Sequence, residues 1–219
     1  GGYDTGVHLY TLKDMQLVEM SNEKEHDGAV RALQFSPDGK TLLSGGDDVA
    51  VFVWDVNEQG LRKRTMFKIE NSIFGVQALG FASDGKSFYV TTATGDVRKV
   101  ELGAGEPRET LAFKEPATLA LPMAVAPDGK QLAFGSRKNV VLRQAGKDAK
   151  PFEKHTAQVN AMAFNRDGSL LASVAEDGRL IIWDVAGNVR YSTQRPNAFS
   201  AVAFRPAEHG AADFRRREW

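Results

Sequence analysis

Two sets of side chains in this sequence have the residue types of a hydrolytic triad, and both sets have the same spacing. Each contains a histidine, a serine, an aspartate and a tryptophan, separated in turn by 18, 4 and 6 positions. The sets are His26, Ser44, Asp48 and Trp54, and His155, Ser173, Asp177 and Trp183. Serine, histidine and carboxylate together could activate a nucleophile. They could also form a structural network, because a half-buried imidazole and a buried indole N–H both need hydrogen-bond partners.

The repetition of the set favours the structural interpretation. Catalysis requires one such set, whereas a fold built from repeats uses one in each unit. The other histidines, His8 and His209, are far apart in the sequence, and the chain contains no cysteine. The pair Asp47 and Asp48 lacks the further oxygen ligands that a calcium loop supplies. We therefore expect no catalytic residue, no metal site and no cofactor.

Four segments share one pattern, an apolar stretch that ends in Asp-Gly: residues 33–40, 79–86, 123–130 and 162–169. Asp-Gly between apolar runs predicts a β-hairpin in which both turn residues have positive φ. A second turn and two further runs follow in each unit, so we predict four short antiparallel strands per unit and no helix. Such a sheet cannot bury both faces alone, and the units are expected to stack.

Residues 26–55 and 155–184, each of which ends in Trp-Asp, resemble the WD40 repeat family of β-propellers. The resemblance covers roughly residues 3–206 and implies an all-β toroid of four-stranded blades, with strands a to d from the centre outwards. It also implies that the two sets form structural hydrogen-bond networks. Two middle units depart from the pattern, since Val100 replaces the tryptophan in 69–105 and Arg137 to Val140 replace the acidic turn in 115–150.

The unit boundaries predict one domain over residues 1–206 and an irregular tail over 207–219. Within the domain we expect a partial blade at 1–20, blades at about 26–68, 69–112, 113–153 and 155–195, and a strand of a last blade at 198–206. The segment Asp4 to Tyr10 aligns with Asp177 to Trp183, so the chain begins near a third strand. These units favour an open fragment of a larger propeller, with a closed five-unit ring as the alternative.

The resemblance further implies a binding surface at the top of the propeller, where the b–c turns and the starts of the a strands lie. The residue before the turn aspartate and residues at the start of strand a are the frequent contact positions. Transferred to this sequence, they are Asp47, Glu176, Arg31, Gln77, Asn160 and Ser200.

The charge balance bears on the class of partner. Lys plus Arg and Asp plus Glu both number 28, giving a formal charge of +0. This argues against nucleic acid and against a polybasic membrane anchor, so we expect a protein partner. We interpret the chain as a non-catalytic, cytoplasmic interaction scaffold. A propeller hydrolase or lactonase-like enzyme and a sensor module of a larger signalling protein are the alternatives.

Overall fold

A computed structural model describes residues 2–70, 72, 74–92, 94–103, 105–114, 122–144 and 149–204. These residues form eighteen strands and no helix. The strands make one two-stranded and four four-stranded sheets, in which all pairings are antiparallel. The prediction of an all-β chain of four-stranded blades is confirmed. The predicted tail at 207–219 lies outside the described residues.

The N-terminal sheet contains β1 (Val7–Lys13) and β2 (Gln16–Glu23). Blade 1 contains β3 (Val30–Phe35), β4 (Thr41–Gly46), β5 (Ala50–Asn57) and β6 (Gly60–Lys68). Blade 2 contains β7 (Val76–Phe81), β8 (Ser87–Thr92), β9 (Asp96–Glu101) and β10 (Arg108–Lys114). Blade 3 contains β11 (Met123–Val125), β12 (Gln131–Ser136), β13 (Asn139–Gln144) and β14 (Lys150–Phe152). Blade 4 contains β15 (Val159–Phe164), β16 (Leu170–Ala175), β17 (Arg179–Asp184) and β18 (Val189–Gln194).

The predicted strand at 198–206 is wrong for its described part, because residues 198–204 form no strand. A strand is defined by main-chain hydrogen bonds to a neighbouring strand, and no second strand follows here among the described residues. The segment nevertheless lies beside blade 4, where the Phe199 N–H donates to the Ala175 carbonyl at 3.4 Å. Its exposure alternates, since Val202 and Phe204 are half-buried while Ala201 and Ala203 are exposed.

The Asp-Gly turns also differ from the expected geometry. The glycines have positive φ, as at Gly39 with 71°, but the aspartates before them do not. The Gly39 N–H donates to the Ser36 carbonyl at 2.9 Å, which makes residues 36–39 a four-residue turn with Pro37 in its second position. Proline fixes a negative φ suited to that position, so only the glycine needs the left-handed region.

Blade 1 buries its two faces against different neighbouring sheets, and we name the faces of all blades by their direction along the chain. The rear face is turned toward the preceding sheet and the front face toward the following sheet. On the rear face of blade 1, Phe52 and Trp54 pack in one cluster with Val7 of β1. On its front face, Val51 and Val53 pack in another cluster with residues of blade 2. Blades 3 and 4 share a third cluster of the same design.

Close approach between blades 1 and 2 depends on a glycine at the end of β4. A Cβ atom at Gly45 would lie 2.8 Å from the Cβ of Val76, which is fully buried at the start of β7. Carbon atoms do not approach that closely without a shift of one strand.

We therefore expect Gly45→Ala to lower the free energy of unfolding by about 1–3 kcal/mol through overpacking of this interface. Urea denaturation would measure the loss. Gly105→Ala is the control, because a Cβ there meets nothing within 4 Å. Equal stability of the two variants would contradict the close packing of blades 1 and 2.

Candidate functional site

The first set of chemistry-bearing residues forms a continuous chain of hydrogen bonds in blade 1. Trp54 on β5 donates its indole N–H to Ser44 Oγ on β4 at 2.9 Å. The same oxygen lies 2.8 Å from Nε2 of His26, which stands in the loop before β3. The other ring nitrogen of His26 lies 2.9 Å from Asp48 Oδ2 in the turn between β4 and β5.

Blade 4 repeats this arrangement with nearly identical distances. Trp183 Nε1 and His155 Nε2 each lie 2.8 Å from Ser173 Oγ, and His155 Nδ1 lies 3.1 Å from Asp177 Oδ2. The spacing in sequence therefore links the four side chains of each set in one continuous chain of hydrogen bonds.

The protons of the network can be assigned from the indole group, which only donates. Ser44 Oγ accepts from Trp54, so its own proton is directed to Nε2 of His26. With Nε2 as an acceptor, the ring proton lies on Nδ1, which donates to Asp48. Every polar atom in the chain then has a partner.

Neither serine is placed as a nucleophile. Ser44 and Ser173 are both 0% exposed, so no substrate can reach their oxygens in this structure. The geometry performs a different task, because each aspartate also accepts main-chain protons. Asp177 accepts from the Thr156 N–H at 2.8 Å and from the Arg179 N–H at 2.9 Å, which joins the loop before strand a to the b–c turn.

The electrostatics of blade 4 agree with this assignment. Burial lowers the pKa of His155 and outweighs the opposing effect of Asp177, so the ring stays neutral. For Asp177, burial acts to raise the pKa, but hydrogen bonds from Thr156, Arg179 and His155 outweigh it and the pKa is lowered. The pair is thus a neutral histidine bonded to a carboxylate.

Blades 2 and 3 lack this network. In blade 2, Val90 and Val100 occupy the serine and tryptophan positions, and both are fully buried. Thr94 takes the aspartate position and bonds to Thr92 at 2.7 Å between their hydroxyl oxygens. In blade 3, Phe134 occupies the serine position and is likewise buried. Apolar packing replaces hydrogen bonding at the same places.

At the end of the blades that carries the b–c turns, two of the predicted contact residues bind each other. The Arg31 guanidinium donates to both oxygens of Asp47, from Nε at 2.9 Å and from Nη2 at 2.7 Å. It also donates to the Tyr3 hydroxyl at 3.2 Å and lies 5.0 Å from the centre of the Tyr3 ring. Hydrogen bonding to Arg31 lowers the pKa of Asp47.

The remaining predicted contact residues make separate interactions. Gln77 donates to the Gly75 carbonyl at 3.3 Å, and Asn160 donates to the Phe199 carbonyl at 2.9 Å. Glu176 and Ser200 are exposed. The structure brings Arg31 and Asp47 into contact, while no described side-chain contact joins this pair to Asn160, Glu176 or Ser200.

Two exposed aromatic residues at the same end were not predicted from the sequence. Tyr3, which is 84% exposed, precedes Asp4 as Glu176 precedes Asp177. The alignment of the first unit could therefore have identified Tyr3 as a contact position. Phe74, which is 49% exposed, lies in the loop before β7, and no pattern in the sequence identified it. We use the term top surface for Tyr3, Arg31, Asp47, Phe74, Gln77, Asn160, Glu176 and Ser200.

No group of three or more His, Cys, Asp or Glu side chains in the described part of the chain could hold a metal ion. Over the same residues, no helix is long and apolar enough to cross a bilayer.

Comparison with known proteins identifies a related family. Residues 19–55 and 146–184 match the family model described as WD domain, G-beta repeat. Protein transport protein Sec31B of Mus musculus is 26% identical over 93% of this chain and 20% of its own length. Serine-threonine kinase receptor-associated protein of Gallus gallus is 24% identical over 87% of this chain and 52% of its own length. The WD repeat-containing protein sll1491 of Synechocystis is 29% identical over 60% of this chain and 38% of its own length. The chain thus spans only part of each relative.

We expect His155→Ala to lower the free energy of unfolding by about 1–3 kcal/mol, because it leaves the buried Ser173 hydroxyl and Asp177 without their shared partner. Thermal and urea denaturation would measure this. His8→Ala is the matched control, since His8 bonds two surface carboxylates, Asp4 and Glu19. An unchanged melting temperature for His155→Ala would contradict a stabilising role.

The same two histidines should respond to pH with opposite signs. The folded-state pKa of His155 is lowered, so its contribution is complete above the ordinary value of 6.5 and is lost as pH falls below it. The pKa of His8 is raised by hydrogen bonds to Glu19 and Asp4, so its contribution is present below 6.5 and is lost as pH rises through the folded-state value. Urea denaturation of the native chain and of each alanine variant, repeated across pH, would measure the difference in free energy of unfolding. This difference should shrink for His155→Ala as pH falls and for His8→Ala as pH rises. A difference in free energy of unfolding between the native chain and His155→Ala that stays constant with pH would contradict a neutral His155 ring.

Proposed function

Since this chain is a WD40-repeat protein, with repeats at residues 19–55 and 146–184 and further blades between them, we propose that it is a non-catalytic scaffold that binds a protein partner through its top surface. The observation that carries the proposal is the composition and order of that surface. It presents exposed aromatic side chains and a fixed arginine, and its residues come from the N-terminal segment and from blades 1, 2 and 4 and the loops beside them.

The side chains around Arg31 are suited to recognition. Tyr and Arg are enriched among the residues that dominate binding energy at protein interfaces. Arg31 is held by two oxygens of Asp47 and by the Tyr3 hydroxyl, so little rotational freedom is left for a partner to remove on binding. This pre-organisation supports a contact site at the seam between the N-terminal sheet and blade 1.

The surface is formed by turns and loops that the sheets position. Asp48 and Asp177 each tie a b–c turn to the loop before strand a, next to Asp47 and Glu176. The hydrogen-bond networks therefore serve the binding surface indirectly, because they fix the main chain that carries it.

The names of several relatives support an interaction role. They include a protein transport protein, a kinase receptor-associated protein, a transcriptional corepressor and a subunit of transcription initiation factor TFIID. These proteins differ in process but are named for transport, association, repression or membership of an assembly. We extend to this chain only the general property of binding other proteins.

The double variant Asp47→Ala, Glu176→Ala should lose partner binding while retaining stability, because both carboxylates are exposed at the top surface. Quantitative affinity purification with the intact native chain and the variant as baits would measure the loss. The control is Glu58→Ala, Glu106→Ala, which removes two exposed carboxylates from c–d turns at the opposite end.

The proposal predicts that the partners retained by the native chain and by the control are depleted from the top-surface variant by tenfold or more, a change of about 1.4 kcal/mol. Equal recovery by all three baits would show that the partner binds elsewhere. Matching urea denaturation curves are required of the three proteins, so that a binding loss is not caused by unfolding.

A further inference from the structure

Basic side chains surround the seam between blades 3 and 4, at the end of the blades that carries the b–c turns. We call five of them the basic patch: Arg137 and Lys138 in the b–c turn of blade 3, Lys154 in the loop before β15, Arg179 at the start of β17 and Arg195 after β18. All are exposed except Arg179, which is half-buried. In blade 1 the b–c turn instead contains Asp47 and Asp48. The b–c turns therefore change from acidic in blade 1 to basic in blade 3.

Hydrogen bonds hold the main chain of the basic patch in place. The Val159 N–H, at the start of β15, donates to the Arg137 carbonyl at 2.8 Å and fixes the turn of blade 3 against blade 4. The Arg179 guanidinium donates to the Lys154 carbonyl at 3.0 Å. The Arg195 N–H donates to a carbonyl in the b–c turn of blade 4, also at 2.8 Å. The basic side chains are thus carried by a fixed main chain, which lowers the entropic cost of binding.

Arg137 has a main-chain conformation that its residue type disfavours. Its φ is 53°, in the left-handed region, and the turn from β12 to β13 contains only Arg137 and Lys138. Glycine, asparagine and aspartate adopt this conformation more readily than arginine does. Formation of the turn therefore does not favour arginine at this position, which points to a role for its side chain.

The basic patch is not neutralised from within the chain. Over the described residues, no carboxylate forms an ion pair with any of its five members. The neighbouring carboxylate of Glu153 accepts from the Asn139 amide, at 3.5 Å. Arg31 of blade 1 differs, because it is paired with Asp47. The cations at the seam between blades 3 and 4 are therefore available to carboxylates from another molecule.

We propose that the basic patch binds an acidic segment of a protein partner, one rich in aspartate and glutamate. The inference rests on the proposed function, since it specifies the chemistry of a partner at the same end of the blades. Opposite charges across an interface accelerate association and select between partners, and arginine pairs well with carboxylates. A nucleic acid fits less well, because a longer polyanion extends from the patch toward Asp47 and Glu176, whose like charge repels it.

Two exposed lysines allow the patch to be changed without loss of the hydrogen bonds described above. Lys138→Glu, Lys154→Glu reverses two charges, while the carbonyl of residue 154 remains to accept from Arg179. Lys40→Glu, Lys130→Glu is the matched control, because it reverses two exposed lysines in the a–b turns of blades 1 and 3, at the opposite end. The probe is an oligoglutamate peptide that carries a neutral dye. Fluorescence anisotropy with the intact chain measures its binding, and circular dichroism verifies that each variant is folded.

The native chain and the control should bind oligoglutamate with equal affinity, and this affinity should fall as salt is added. The patch variant should bind at least about tenfold more weakly, because two attractive charges become repulsive. A single-stranded oligodeoxynucleotide of the same charge should bind the native chain more weakly than oligoglutamate does.

Three results would overturn the inference: a native chain that does not bind oligoglutamate, equal affinity of the patch variant and the control, or tighter binding of the oligonucleotide. Affinity purification with the same variants as baits separates these failures from failure of the proposed function. Partners that are lost from Asp47→Ala, Glu176→Ala but retained by Lys138→Glu, Lys154→Glu would support the proposed function and contradict an acidic segment at the patch. Depletion of the partners from the patch variant, together with their release from the native chain by free oligoglutamate, would support both.

Discussion

The structure depends on one constraint, that a four-stranded sheet with two apolar faces must cover both of them. No blade of this chain can do so alone, and blade 1 takes its cover from the sheets before and after it. The fully buried side chains of blade 1 illustrate this, because Trp54 is buried under the N-terminal sheet and Val53 under blade 2. Packing between neighbours is therefore the principal source of stability, and the N-terminal sheet, which packs against blade 1 on one side, receives less of it.

Polar and apolar side chains fill the same interface in different blades. Blade 4 uses a buried histidine, serine and tryptophan, whose polar atoms satisfy one another. Blade 2 uses valines at two of those positions and places Arg98, at the position of Phe52, against Glu109 on the next strand. The hydrogen-bond network is thus one solution to rear-face packing, with the added effect of anchoring the loops of the top surface. This explains how a set with the residue types of a hydrolytic triad can be a structural element.

The sequence predicted much of the fold because the pattern recurs. Fixed spacing identified four blades, and the networks of blades 1 and 4 consist of the side chains that were singled out. Features that depend on a single contact were not predictable. Arg31 on β3 pairs with Asp47 in the turn after β4, 16 positions away, and its further contact with the Tyr3 hydroxyl spans 28 positions. The segment ending at Phe204 has the alternation of a strand, but without a neighbouring strand it forms no sheet hydrogen bonds.

Hydrogen exchange of the native chain, resolved strand by strand, tests the dependence of each blade on its neighbours most directly. We expect strong protection in the middle strands β4 and β5, which have a covering sheet on both sides, and much weaker protection in β1 and β2. We also expect strong protection in β8 and β9, because Val90 and Val100 pack under blade 1 although blade 2 lacks the polar network. Equal protection of β1 and β5, or rapid exchange throughout blade 2, would contradict the claim that packing between sheets holds this fold together.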